Sequence, residues 1–136
     1  MTLRCLIVDD SRRFLDAARG LLERQGITVV GVASTGAEAL RLAEELQPDV
    51  TLVDIGLGDE SGFDLARQLS REANLAPSRT ILISTQAEQD YADLIAASPA
   101  VGFLSKSALS AGAIRDLLGG HSDGEAGDRV SGPRGR

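Results

Sequence analysis

Apolar and polar positions along this chain fall into blocks of two kinds. Leu3–Val8 is an apolar run interrupted only by Arg4, and it stops at Asp9–Asp10. A short, partly β-branched run of this kind predicts a strand buried on both faces. Ser11 follows as a helix N-cap. Phe14, Leu15, Ala18, Leu21 and Leu22 then recur at spacings of three and four, the stripe of an amphipathic helix that Gly26 is placed to end. The same pair of blocks repeats. Ile27–Ala33 predicts a second strand, and Thr35 caps a helix that carries Ala39, Leu40, Ala43 and Leu46 and closes at Pro48. Val50–Val53 predicts a third strand ending at Asp54, and the glycine-rich stretch Gly56–Gly62 predicts a loop before a helix with Phe63, Ala66 and Leu69. Thr80–Ile83 predicts a fourth strand ending at Ser84 and Thr85, followed by a helix over Ala87–Ala97 stopped by Pro99. Val101–Leu104 predicts a fifth strand ending at Ser105 and Lys106, and Leu109–Leu118 a last helix ended by Gly119–Gly120.

Five strands alternating with five helices imply an α/β fold, a parallel sheet covered on both faces. The recurrence is of a supersecondary unit, with no repeat at the level of residues. The pattern fades after Leu118. Six of the eighteen residues 119–136 are glycine, and Val130 is their only sizeable apolar side chain. Such a segment buries too little surface to offset its ordering entropy. The expectation is a folded domain over 1–118 and a flexible tail, or a truncated linker, over 119–136.

Composition narrows the chemistry. With 136 residues, 43% of them apolar, the chain can build one domain core. No apolar run approaches the roughly 18–20 residues of a membrane helix. The N-terminus lacks the apolar stretch and small-residue cleavage site of a signal peptide. A soluble, cytoplasmic domain without a membrane role is expected. A single cysteine, Cys5, and a single histidine, His121, exclude an internal disulfide and any multi-cysteine or multi-histidine metal site. A formal net charge of -6 argues against a generic nucleic-acid binder. There is no G-x-x-x-x-G-K-[ST] segment, and no G-x-G-x-x-G follows the first strand, so nucleotide binding has little support. Carboxylates, hydroxyls and backbone remain to carry the function.

The positions of those groups are informative. In a parallel sheet all strand C-termini share one edge, where ligands bind near the switch point of strand order. Asp9 and Asp10 follow the first strand, Asp54 the third, Ser84 and Thr85 the fourth, and Lys106 the fifth. Lys106 is the only lysine among 14 basic residues. Three carboxylates held close repel one another, and a hard divalent cation such as Mg2+ relieves that repulsion. Asp54 could be a spectator ligand or a nucleophile that accepts a phosphoryl group as an aspartyl-phosphate. In the second case Ser84 supplies a hydrogen bond and Lys106 a mobile cation for the phosphoryl oxygens.

At these residues the sequence resembles the receiver domain of bacterial two-component response regulators, over about residues 3–118. The resemblance rests on Asp9–Asp10, Asp54, Ser84 and Phe103-Leu104-Ser105-Lys106, in that order and spacing. It implies a doubly wound (βα)5, flavodoxin-like fold with strand order 2-1-3-4-5. It implies that Asp54 accepts a phosphoryl group from a histidine kinase or phosphotransfer protein. Asp9, Asp10 and Asp54 would hold Mg2+, helped by the Gly56 backbone carbonyl; Ser84 and Lys106 would bind the phosphoryl oxygens. Phe103 matches the aromatic switch position and would turn inward as Ser84 is drawn to the phosphoryl group, reshaping the surface of the fourth helix, fifth strand and fifth helix. Gly56 and Gln86 stand where the family tunes loss of the phosphoryl group. The expected function is a signalling switch, with self-dephosphorylation as its only turnover, for an output partner the sequence does not identify. Homodimerisation through the last helices belongs to the same expectation. Three alternatives remain open: a receiver-like interaction module without phosphorylation, the N-terminal fragment of a DNA-binding transcription regulator, and an aspartyl-phosphate phosphatase. The phosphatase is disfavoured because its second acid would stand where Gly56 does.

Overall fold

Each apolar run becomes a strand of one parallel sheet. The computed structural model describes residues 2–58, 60–72, 79–85 and 91–119. The sheet strands are β1 (Arg4–Val8), β2 (Thr28–Ala33), β3 (Val50–Asp54), β4 (Thr80–Ser84) and β5 (Gly102–Ser105). They lie in the order β2-β1-β3-β4-β5, every pairing parallel. The helices are α1 (Arg12–Arg24), α2 (Gly36–Leu46), α3 (Gly62–Glu72), α4 (Ala92–Ala97) and α5 (Ala111–Gly119). This is the doubly wound, flavodoxin-like arrangement that the alternation of blocks and the resemblance imply.

The continuous apolar runs have a direct cause. Alternate residues of each strand point to opposite faces, and both faces are covered. Leu6, Val8, Val53, Leu82 and Phe103 pack against α2 and α3 through Ala39, Ala43, Phe63, Ala66 and Leu69. Cys5, Ile7, Leu52, Ile81 and Ile83 pack against α1 and α5 through Leu15, Ala18, Leu22 and Ile114. Leu6, Ile7, Leu52, Ile81, Leu82 and Ile83 are fully buried, each worth about 1.5–3 kcal/mol relative to exposure. Burial also pushes the Cys5 thiol up to about 12, so it stays protonated and unreactive. None of the described helices is long and apolar enough to cross a membrane.

Helix ends follow the capping residues. Ser11 Oγ accepts the Phe14 N–H at 3.2 Å, and Thr35 Oγ1 accepts the Glu38 N–H at 3.2 Å. Gly26, at φ +93°, closes α1; its N–H reaches Glu23 O at 3.2 Å and the Ile27 N–H reaches Leu22 O at 3.0 Å, a Schellman closure that needs this left-handed backbone. Gln25 Oε1 accepts the Ala111 N–H at 2.6 Å, so the C-cap residue of α1 also satisfies the start of α5. Arg4 covers the carbonyl end of α2, donating to Leu46 O at 2.8 Å and Gln47 O at 2.9 Å.

Four expectations are corrected. The Gly56–Gly62 stretch is more than a loop: Gly56–Leu57 and Glu60–Ser61 pair as a two-residue antiparallel hairpin, and Gly62 is the first residue of α3. Asp54 and Ser84 are the last rungs of their strands rather than residues beyond them, because Asp54 pairs with Ile83 and Ser84 with Ser105. The last helix starts at Ala111, since Lys106–Ala108 forms a 3-10 turn and Ser110 Oγ accepts the Ala113 N–H at 3.0 Å as the cap. Gly119 closes α5 from within it instead of following it. The expected start of the fourth helix at Ala87, the position of Gln86 and the segment 120–136 lie outside the described residues.

Candidate functional site: an acidic edge at the strand C-termini

The site is assembled by backbone before any side chain is considered. The Asp9 N–H donates to Ala33 O at 3.0 Å, continuing the β1–β2 ladder by one residue. Its carboxylate then turns back, and Oδ1 accepts the Ser11 N–H at 2.8 Å. Asp9 is thus fully buried at the turn into α1, while its neighbour Asp10 is exposed. Ile55, the residue that follows Asp54, is held by both its backbone groups. The Ile55 N–H donates to Ile83 O at 3.0 Å, and the Gly62 N–H donates to Ile55 O at 2.9 Å. A Cβ at Gly62 would fall 2.1 Å from Asp54 O, so α3 reaches this close only with glycine. Nothing lies within 4 Å of a Cβ placed at Gly56, which leaves the approach to Asp54 open.

Carboxylate oxygens of Asp9, Asp10 and Asp54 lie within 4.8 Å of one another. The Lys106 ammonium enters this cluster from the end of β5, with Nζ 2.5 Å from Asp9 Oδ2 and 3.7 Å from Asp54 Oδ2. Burial and the Asp9 charge push the Asp54 carboxyl up to about 6, with a smaller push from Asp10. The Lys106 charge and a hydrogen bond from the Gly56 N–H pull it back. Asp54 is therefore ionised at neutral pH, although ionisation costs more here than in water. Three acids against one ammonium leave a negative excess and an array of hard oxygen donors, the set that Mg2+ takes.

The sequence-predicted residues divide into three groups. Asp9, Asp10, Asp54 and Lys106 come together. Ser84, buried, ends the strand beside Asp54 and opposite Ser105. Phe103 is buried in the core cluster that also holds Phe63, Leu69 and Leu82, across the ladder from Leu82, with Tyr91 and Ile95 packed against the same cluster. The expected inward turn of this ring therefore starts from a ring that is already inside. The Gly56 backbone N–H hydrogen-bonds to Asp54. The Lys106–Ser107 peptide is trans.

Two residues at the site escaped the sequence reading. Phe14 counted there only as part of the α1 stripe, yet Lys106 Nζ sits 4.4 Å from the centroid of its ring. Glu60 carried no signal, yet its Oε1 accepts the Gly36 N–H at 2.7 Å and ties the hairpin after Asp54 to the start of α2. The separation of 24 positions between Glu60 and Gly36 hides that contact from any local pattern.

Comparison with known proteins agrees with this geometry. Transcriptional regulatory protein LiaR of Bacillus subtilis is 32% identical over 124 residues, covering 90% of this chain and 57% of that protein. The matched stretch spans from 18% to 63% of the length of the curated relatives. Among solved structures, the response regulator domain of Thermotoga maritima CheB superposes with a TM-score of 0.68 at 26% identity, covering 86% of this chain and 89% of that one. A response regulator from Burkholderia pseudomallei, with a phosphorylated aspartic acid, calcium ion and citrate, superposes with a TM-score of 0.70 at 27% identity, covering 85% of this chain and 66% of that one. The response regulator receiver domain family matches residues 5–117, a span that takes in both acids of the first turn, Asp54, Ser84 and Lys106, and the chain belongs to that family.

Proposed function

We propose that this chain is a phosphoryl-accepting switch, in which Asp54 takes a phosphoryl group from a histidine kinase or phosphotransfer protein. The observation that carries the reading is the placement of Asp54: a buried, ionised carboxylate with an ammonium 3.7 Å away and two further acids beside it. An Asp54 Oδ atom forms the new bond to phosphorus as the bond from phosphorus to the donor nitrogen breaks. The imidazole of the donor histidine leaves with that electron pair. Asp9, Asp10, Asp54 and the Gly56 carbonyl would hold Mg2+, which supplies positive charge against the phosphoryl oxygens.

The chain's own residues do the rest. Lys106 neutralises one side of the incoming group. Ser84 offers a hydroxyl from the neighbouring strand end. Gly56 keeps the approach clear, as the open space over it supports. The added charge of about -1.5 to -2 then biases the surface around α4, β5 and α5, with Phe103 as the buried aromatic that responds. A partner that prefers this surface shifts the population toward it. The aspartyl-phosphate of the Burkholderia relative supports the acceptor chemistry. The name of LiaR supports transcriptional output in a longer protein.

Acetyl phosphate tests the acceptor directly. Intact-mass measurement should show one phosphoryl group on the wild-type chain with Mg2+, and none after chelation or in Asp54→Asn. Equal labelling of Asp54→Asn would exclude Asp54 as the acceptor.

A further inference from the structure

We propose that Phe14 is a positioning residue for phosphoryl acceptance. Its ring seats the Lys106 ammonium at the acidic edge while that ammonium exchanges Asp9 for a phosphoryl oxygen. The proposal rests on the acceptor reading above and adds to it a residue outside the acid, hydroxyl and lysine set.

Three contacts define where Lys106 Nζ sits: 2.5 Å from Asp9 Oδ2, 3.7 Å from Asp54 Oδ2 and 4.4 Å from the Phe14 ring centroid. The lysine side chain is only 14% exposed, so most of it is shielded from water. The Lys106–Asp9 contact is a close ion pair, with no other donor on Asp9 Oδ2 among the described residues. The ring contact is non-directional, since an ammonium is attracted to the whole π face. Lys106 can thus swing between carboxylate and phosphoryl oxygens while one side of it stays shielded from water. A second carboxylate in place of the ring would have to be broken away; a ring does not.

The ring is also placed relative to the correct acid. Asp9 Oδ1 accepts the Ser11 N–H at 2.8 Å, and Ser11 Oγ accepts the Phe14 N–H at 3.2 Å. This short chain of bonds makes the Asp9 carboxylate and the Phe14 backbone one unit at the start of α1. Phe14 is half-buried at the flank of the α1 stripe, packed against the cluster of Leu15, Ala18 and Leu22 on one side and under the Lys106 ammonium on the other.

The test is the rate of phosphorylation by acetyl phosphate with Mg2+, with thermal melts confirming the fold. Phe14→Leu keeps apolar bulk without a π face and should slow the reaction about five- to thirty-fold. Phe14→Tyr should restore a rate within about twofold of wild type. Rings carrying one, two and three fluorines keep the shape of Phe14 while draining its π face, and should slow the reaction in graded steps. A metal-free readout accompanies these: in a urea-unfolding cycle, Phe14→Leu and Lys106→Met should couple by at least about fivefold in the unfolding constant. A Phe14→Leu protein as fast as wild type, a flat fluorine series, or additive effects in the cycle would each overturn the proposal. A wild-type chain that takes no phosphoryl group overturns the acceptor reading itself, which separates the two failures.

Discussion

Replacing Asp54 by Asn should stabilise the metal-free protein at neutral pH, although it removes the reactive group. Burial and the Asp9 charge push the Asp54 carboxyl up to about 6 from an ordinary 3.8. The folded state therefore binds the Asp54 proton more tightly than the unfolded chain does. Between these two values folding takes up a proton, so the contribution of this group to stability falls as pH rises through about 6. Above that it stays as a constant penalty, at most about 3 kcal/mol. Solvent reaches the site past exposed Asp10 and open Gly56, and its screening reduces the expected gain to about 1–2 kcal/mol. Urea unfolding of both proteins in chelator checks this. The Asp54→Asn variant should be the more stable at pH 7.5, with the gap shrinking toward zero near pH 4, where Asp54 is protonated in the fold. Mg2+ should reverse the order, since an ion at a hundred times its Kd adds about 2.7 kcal/mol to the wild type and less to a variant with one ligand charge removed. A gap that is absent at pH 7.5, or that does not change with pH, would refute the electrostatic account of the site.

Other substitutions probe the supports of the same edge. Gly62→Ala puts a methyl 2.1 Å from Asp54 O and should cost about 3 kcal/mol or more, read by urea unfolding, with slower phosphorylation of whatever fraction folds. Lys106→Met leaves the fully buried Asp9 without its cation; metal-free stability should drop by about 3 kcal/mol. Calorimetric titration of that variant should show Mg2+ binding tightened about three- to tenfold, because the ion no longer meets an ammonium. Arg4→Ala uncovers the last carbonyls of α2 and should cost about 1 kcal/mol without changing the phosphorylation rate, since it acts at the far end of the sheet.

The local sequence determined the elements because each element carries its own period. A strand buried on both faces has to be apolar throughout, and Leu3–Val8, Val50–Val53 and Thr80–Ile83 are nearly so. Helices leave spacings of three and four, and their ends leave Ser11, Thr35 and Gly26. The alternation of the two also determined that the strands run parallel, which sends Asp9, Asp54, Ser84 and Lys106 to one edge. Most of the candidate site was legible for that reason, without any knowledge of distances. Short-range signals of the opposite kind misled: glycines at 56, 58 and 62 look like a flexible loop, but Gly62 is there because α3 packs against the Asp54 carbonyl.

Tertiary structure decided which of the gathered groups touch. The one lysine lies closer to Asp9 than to Asp54, its ammonium rests on Phe14, Glu60 caps a helix from across the hairpin, and Phe103 points into the core. Each of these outcomes turns on a few ångströms set by strand register, helix placement and rotamer together. Periodicity along a chain carries the face on which a side chain lies. It does not carry the distance to a side chain dozens of residues away, because that distance exists only once the layers have packed.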